Sequence, residues 1–263
     1  MLLSFILAAA MPIPPSDLQI QPGAVAIFVA GQSNGVGRGI QTAADLVPEP
    51  DVFAVKSDGQ VYPGADPFSS TVGSGVGFSR TLARGVIDAG RAPQVFIVNC
   101  AIGSTPAHAW AVAPLMSRDF HRATEKALQS RIGSWLYIDC AMAAQIVQRL
   151  GVEPIAVAWH QGETGCATLG ATQTRAADLT IVRDRFKADY PGIVFVGGEL
   201  ARTNRCRYLA ETNAATEAVS DGYVASDGLT VNVGDTLHFD RASQQELGRR
   251  YATKILELLP PIN

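Results

Sequence analysis

Three short polar clusters carry the residue types that serine-based acyl transfer needs. Gly31-Gln32-Ser33-Asn34-Gly35 and His160-Gln161-Gly162-Glu163 each follow an apolar run, and Asp235-Thr236-Leu237-His238 precedes the last helical stretch. A serine hydroxyl is a poor nucleophile until a base takes its proton, and the base needs a third group to fix its tautomer. Ser33 is the nucleophile of this reading, His238 its base and Asp235 the orienting carboxylate. Their i,i+3 spacing lets one turn hold carboxylate against imidazole. Each cluster alone is weak: a serine in a glycine-rich turn is ordinarily a turn residue or helix cap, and Asp-x-x-His recurs by chance. Their joint placement near strand ends gives them weight.

The elements that must position these clusters follow an α/β pattern. Short β-branched runs alternate with longer stretches of helical period, as a parallel sheet with crossover helices requires. Strands are expected at Val25–Ala30, Val95–Asn99, Ile155–Trp159 and Ile193–Val196, with Val52–Val55 at a sheet edge. Helices are expected at Phe78–Ala89, Trp135–Leu150, Ala171–Asp189 and Arg241–Leu259; Gly90, Gly151, Pro191-Gly192 and Pro260-Pro261 stop them. The fold class is therefore α/β, a three-layer α/β/α sandwich around a mostly parallel five-stranded sheet. C-terminal ends of neighbouring parallel strands share one edge, so the first two clusters should meet there. The third reaches that edge from the loop before the closing helix. Residues 101–130, with Gly103, Pro106 and Pro114, read as a long irregular connection on the same side.

The 263 residues suffice for one large domain, placed at residues 22–263. Residues 1–21 read as a signal-like leader or an N-terminal extension: Met1–Ala10 is apolar and ends in three alanines, but lacks a positive n-region. The run is too short to span a bilayer, so no stable membrane insertion is expected. A secreted or periplasmic location is expected from it, with a cytoplasmic one left open. A net charge of −3 and scattered Lys and Arg give no reason to expect nucleic acid as a partner. A neutral or sugar-like small molecule or polysaccharide fits this balance; the oligomeric state is not readable. Of four cysteines, Cys100 and Cys140 read as buried small hydrophobes. Cys166 and Cys206 fall in loops, and a bridge between them is compatible with export. Nothing in the Cys and His spacing suggests a metal site, and neither metal nor cofactor is expected.

Gly31–Gly35 also matches the G-x-S-x-G elbow of α/β-hydrolases. Those enzymes place several strands and an oxyanion loop before the elbow, whereas Ser33 follows the first convincing strand here. The position matches another family better. Gly-Gln-Ser-Asn near the N-terminus, His-Gln-Gly-Glu in mid-chain and Asp-x-x-His near the C-terminus resemble the SGNH-hydrolase superfamily. The nearest branch is that of sialate O-acetylesterases and carbohydrate esterase family six, and the likeness runs from Val25 to Leu259.

That resemblance implies a flavodoxin-like sandwich and hydrolysis of acetyl esters on carbohydrate, such as acetylated xylan or sialic acid. It implies three oxyanion donors: the Ser33 N–H, the Gly103 N–H and the Gln161 side-chain amide, each worth about 3 kcal/mol of barrier. Glu163 is either a support for neighbouring loops or a rival to Asp235 as the triad acid, with His160 a hydrogen-bonding residue behind the site. Gln32, Asn34, Trp110 and Arg202 are candidates for touching substrate. For Trp110, anchoring a long loop is the alternative to stacking on a sugar; for Arg202 it is a surface ion pair. His108 and His121 read as surface residues. Two other functions stay open: a lipase or thioesterase acting on non-sugar esters, and a disabled scaffold that only binds carbohydrate.

Overall fold

The computed structural model describes residues 11–111, 136–203 and 205–261. The earliest part of the leader, residues 1–10, and His121 lie outside them.

A seven-stranded sheet forms the middle layer. Its strands are β1 (Val25–Gly31), β2 (Glu49–Val55), β3 (Val61–Gly64), β4 (Val95–Asn99), β5 (Glu153–His160), β6 (Val194–Gly198) and β7 (Gly222–Val224). They lie in the order β3-β2-β4-β1-β5-β6-β7, with every pair parallel except β2–β3. The five expected strands are present, and two more extend the sheet at its margins. β3 pairs outside β2, so β2 is an interior strand, not an edge.

β1 is Val-Ala-Ile-Phe-Val-Ala-Gly, buried along its whole length, as a central parallel strand covered on both faces must be. Its side chains alternate between two cores. Ala26, Phe28 and Ala30 face Trp110, Val147, Val182 and Phe186. Val25, Ile27 and Val29 face Phe78, Leu82, Leu247 and Tyr251. The helices are α1 (Ser33–Val36), α2 (Ser79–Asp88), α3 (Ala107–Ala111), α4 (Leu136–Arg149), α5 (Leu169–Asp189), α6 (Leu209–Val219) and α7 (Arg241–Leu258). Helices α3, α4 and α5 cover the first face, and α2 with α7 the second. Helices α2 and α7 touch so closely that a Cβ on Gly248 would lie 2.0 Å from Thr81 Oγ1 and 2.4 Å from Phe78 O. Only glycine permits that approach.

Residues 13–21 pack on the domain: Ile13 bridges to Val61, and Leu18 is buried. Both pairs of cysteines are disulfides, Cys100–Cys140 and Cys166–Cys206, each with Cα atoms 5.2 Å apart. Cys100 and Cys140 are thus buried as expected but bonded, because β4 and α4 bring their Cα atoms within bridging reach. Two disulfides are consistent with an extracellular protein. No helix among the described residues is long and apolar enough to cross a membrane.

Candidate active site

The sheet order reverses direction at β1: the chain leaves it towards β2 and β4 on one side and later returns to β5 on the other. In open α/β sheets the crevice beyond the strand ends at such a switch point is where ligands bind. Ser33 sits there, at the start of α1, immediately after β1. Gly31, with φ +117°, makes the turn possible: a Cβ there would lie 2.2 Å from His160 O on β5.

Ser33, His238 and Asp235 form one hydrogen-bonded line. Ser33 Oγ lies 2.9 Å from His238 Nε2, and His238 Nδ1 lies 2.7 Å from Asp235 Oδ2. Asp235 Oδ1 accepts the N–H groups of Thr236, Leu237 and His238, so the carboxylate folds its own loop around itself. Burial alone would raise its pKa. Hydrogen bonds from the His238 ring and from the Leu237 and His238 N–H groups outweigh burial and hold it down at about 2. The loop ends where Asp240 caps α7 by accepting Ser243 N–H at 2.8 Å.

Gly103 faces Ser33: a Cβ built on it would lie 3.8 Å from Ser33 Cβ. Among the described residues, neither Ser33 N–H nor Gly103 N–H donates to a protein acceptor. The Gly103 segment is tied to β1 and its turn through Cys100 N–H to Val29 O, Ile102 N–H to Gly31 O and Thr105 Oγ1 to Gly31 O.

Gln161 is placed differently from expectation. Its side chain has no exposed surface, and its amide donates to Gln32 Oε1 at 3.2 Å and Thr105 O at 3.0 Å. Both amide hydrogens are thereby used inside the protein, and none is left for an oxyanion. Arg175, fully buried on α5, donates to the Gln161 side-chain and backbone oxygens. Its own burial lowers its pKa to about 10, so it stays charged at neutral pH.

Gln32 and Asn34 are also internal, not substrate-facing. Gln32 Oε1 accepts Gly162 N–H and Thr164 N–H as well as the Gln161 amide, knitting the β1 turn to the β5 turn. Asn34 has no exposed surface, and all its side-chain groups are satisfied by protein. Trp110 cannot offer a stacking face to a sugar either. It is fully buried, its ring 5.2 Å from that of Trp159, and its Nε1 donates to Thr105 Oγ1. Arg202 is half exposed and paired with Glu199 and Asp227, a surface ion pair. His108 is exposed and pairs with Asp178.

Glu163 lies beneath the Ser33–His238–Asp235 line. Its carboxylate is almost fully buried and accepts Asn34 Nδ2 at 2.5 Å, but does not hydrogen-bond His238. Burial pushes its pKa up, partly offset by a backbone hydrogen bond, by the Asn34 amide and by the nearby Arg175 charge. His160 is fully buried, Nδ1 3.2 Å from the Tyr251 hydroxyl; burial, then Arg175, pulls its pKa down to about 3 and keeps it neutral.

Sequence reading alone passed over Arg175 and Arg38. Arg175 stands in register with Thr172, Leu179, Val182 and Phe186, so an arginine on an otherwise inward-facing stripe was the available signal. Arg38 follows the Ser33 turn between two glycines. No three His, Cys, Asp or Glu among the described residues converge to hold a metal ion.

Comparison with known proteins agrees with this architecture. A protein from Arabidopsis thaliana of known structure superposes with a TM-score of 0.71 at 19% identity, covering 90% of this chain and 99% of its own. The protein NanS gives 0.62 at 16%, covering 91% and 98%. A carbohydrate acetylesterase from Xanthomonas citri gives 0.60 at 17%, covering 87% of this chain and 55% of its own. At these identities the likeness establishes the fold. No curated protein matches by sequence. The family model described as carbohydrate esterase, sialic acid-specific acetylesterase matches residues 24–257, which include all three polar clusters. The chain therefore belongs to that family of carbohydrate esterases and is a carbohydrate O-acetylesterase.

Proposed function

We propose that the chain removes O-acetyl groups from sugars of the sialic acid or acetylated xylan type through an acyl-enzyme on Ser33. The observation that carries this reading is the unbroken line from Ser33 Oγ through His238 to Asp235, at 2.9 and 2.7 Å.

His238 Nε2 takes the Ser33 proton as Oγ attacks the acetyl carbonyl carbon. The C=O bond opens to a tetrahedral oxyanion, which the Ser33 and Gly103 N–H groups receive. The carbonyl reforms, the sugar oxygen departs with the proton carried by His238, and acetyl-Ser33 remains. Water then repeats the sequence, releasing acetate and restoring the hydroxyl. Asp235, held ionised by its hydrogen bonds, stabilises the imidazolium formed in each half. Neither metal nor organic cofactor takes part in these steps. Gln161 and Arg175 act behind the site by fixing the turns that carry Ser33 and Glu163.

The test is acetate release from O-acetylated sialic acid and from acetylated xylan, wild type against Ser33→Ala. Loss of release in the variant, with its fold intact by circular dichroism, is expected, and the faster substrate names the sugar. Turnover that survives Ser33→Ala would overturn the mechanism. Cleavage of a short aryl ester alone would keep the triad and discard the sugar.

A further inference from the structure

Arg38 stands beside the nucleophile with a half-spent guanidinium. Its Nη1 donates to Val72 O at 3.2 Å and to Gly73 O, which hold one end of the group. Its Nη2 turns the other way. A Cβ built on Gly103 would lie 3.0 Å from Arg38 Nη2 and 3.8 Å from Ser33 Cβ, so guanidinium and nucleophile border the same small space. No carboxylate among the described residues lies within ion-pair distance of Arg38. Other arginines differ: Arg80 pairs with Glu49, Arg241 with Asp45 and Arg202 with Glu199.

The backbone beneath this side chain is pinned on two sides. Gly39 N–H donates to Val76 O and Gly75 N–H to Gly37 O, joining residues 37–39 to the loop that receives Nη1. Asn232, on the loop that carries Asp235 and His238, donates its Nδ2 to Arg38 O at 3.0 Å. A half-buried cation without a counter-ion among the described residues, fixed in place and with Nε and Nη2 unspent on them, presents the two-pronged edge that matches a carboxylate. Burial also pulls the Arg38 pKa down, and a bound anion would offset that cost.

We propose that Arg38 receives a carboxylate carried by the substrate, and so selects O-acetyl esters of acidic sugars over neutral ones. The inference rests on the Ser33 reading, since the acyl group must occupy the space between Ser33 and Gly103 for the carboxylate to reach Arg38. Two acid sugars supply that group: a sialic acid that itself bears the acetyl ester, and a glucuronic acid branch beside acetylated xylose.

The experiment compares kcat/KM for an O-acetylated sialic acid with that for its carboxyl methyl ester, and repeats the pair on a glucuronic acid-bearing acetylated xylan oligosaccharide. Wild type is expected to prefer the free acid of at least one pair by about tenfold or more, and the preference to shrink as salt rises. In Arg38→Gln the acid-to-ester ratio should collapse towards one, and Arg38→Lys should recover part of it. Equal rates on acid and methyl ester in wild type would overturn the assignment. So would a variant that slows both esters by the same factor, which would place Arg38 at the oxyanion instead. Binding of the two deacetylated acids and of their methyl esters to Ser33→Ala reads the same preference without turnover. That measurement separates failure of Arg38 as receptor from failure of Ser33 as nucleophile. Should Arg38→Gln not fold, the wild-type ratio and its salt dependence still decide.

Discussion

Asn34 grips the backbone on both sides of His238: its Nδ2 donates to Leu237 O at 3.0 Å, and its Oδ1 accepts Phe239 N–H at 3.1 Å. The side chain of the residue after Ser33 therefore fixes the height and tilt of the His238 backbone, although it makes no hydrogen bond to the imidazole. Gln244 on α7 donates to Asn34 Oδ1 and closes the far side. Asn34→Ala should lower kcat by about 10²-fold with a much smaller change in KM, as expected when reacting groups drift by an ångström. Steady-state kinetics on an aryl acetate checks this; a rise in KM with kcat intact would return Asn34 to a substrate-contact role.

Two carboxylates stand near His238, and only that of Asp235 reaches its Nδ1. Asp235→Asn should cost about 10³–10⁴-fold in kcat, because an amide can hold the wrong tautomer and cannot stabilise the imidazolium. Glu163→Gln keeps the oxygen that accepts Asn34 and replaces Oε2, which has no protein partner, so its cost should stay below about tenfold. A reversed order of the two losses would make Glu163 the acid.

Asp66 is buried, its Oδ1 accepting Gly77 N–H at 3.1 Å. Burial raises its pKa from 3.8 to about 7, with Asp45 adding to the rise and the Gly77 N–H opposing it. Between those two values the folded chain holds more protons than the unfolded one, so this group's contribution to stability falls as pH rises through the window. Asp66→Asn removes the titration. Melts of both proteins at pH 5 and pH 8 should show the variant gaining on wild type by roughly 5 °C at the higher pH. A difference that does not move with pH would mean Asp66 stays ionised throughout.

Trp110 belongs to the core between α3 and β5, packed against Trp159. Trp110→Ala should destabilise the protein by about 3–5 kcal/mol in urea titration and leave KM for a sugar ester largely unchanged. A raised KM without loss of stability would restore it as a sugar platform.

Much of this architecture is legible in the sequence, and the exceptions have physical causes. β1, β4 and β5 are buried on both faces and so read as unbroken apolar runs. β3 is four residues long and contains Pro63, a residue confined to sheet margins, so its pattern is too brief to see. Helix α6 was missed because it buries Thr212, Thr216 and Val219, and two threonines in three hide the apolar stripe. At the site, residue types announced Ser33, Asp235 and His238 as a candidate set. They did not distinguish polar groups facing substrate from those facing protein: Gln32, Asn34 and Gln161 spend their hydrogen bonds inward. That partition depends on loop geometry three-dimensional contact creates, as does the pairing of Cys100 with Cys140.

Both disulfides begin at the rim of the candidate site. Cys100 stands three residues before Gly103, and Cys166 three residues after Glu163; each closes a span of 40 residues. Loops at strand ends ordinarily open by themselves, at far less free energy than the sheet beneath them. Here the two loops are riveted to α4 and to the segment before α6, so their opening is coupled to that of larger units. Amide exchange in the rim should then follow the slow tempo of the interior while the bridges are intact, and quicken once they are reduced. The chain's competence would thus record the redox history of the compartment that folded it, even where its sheet does not.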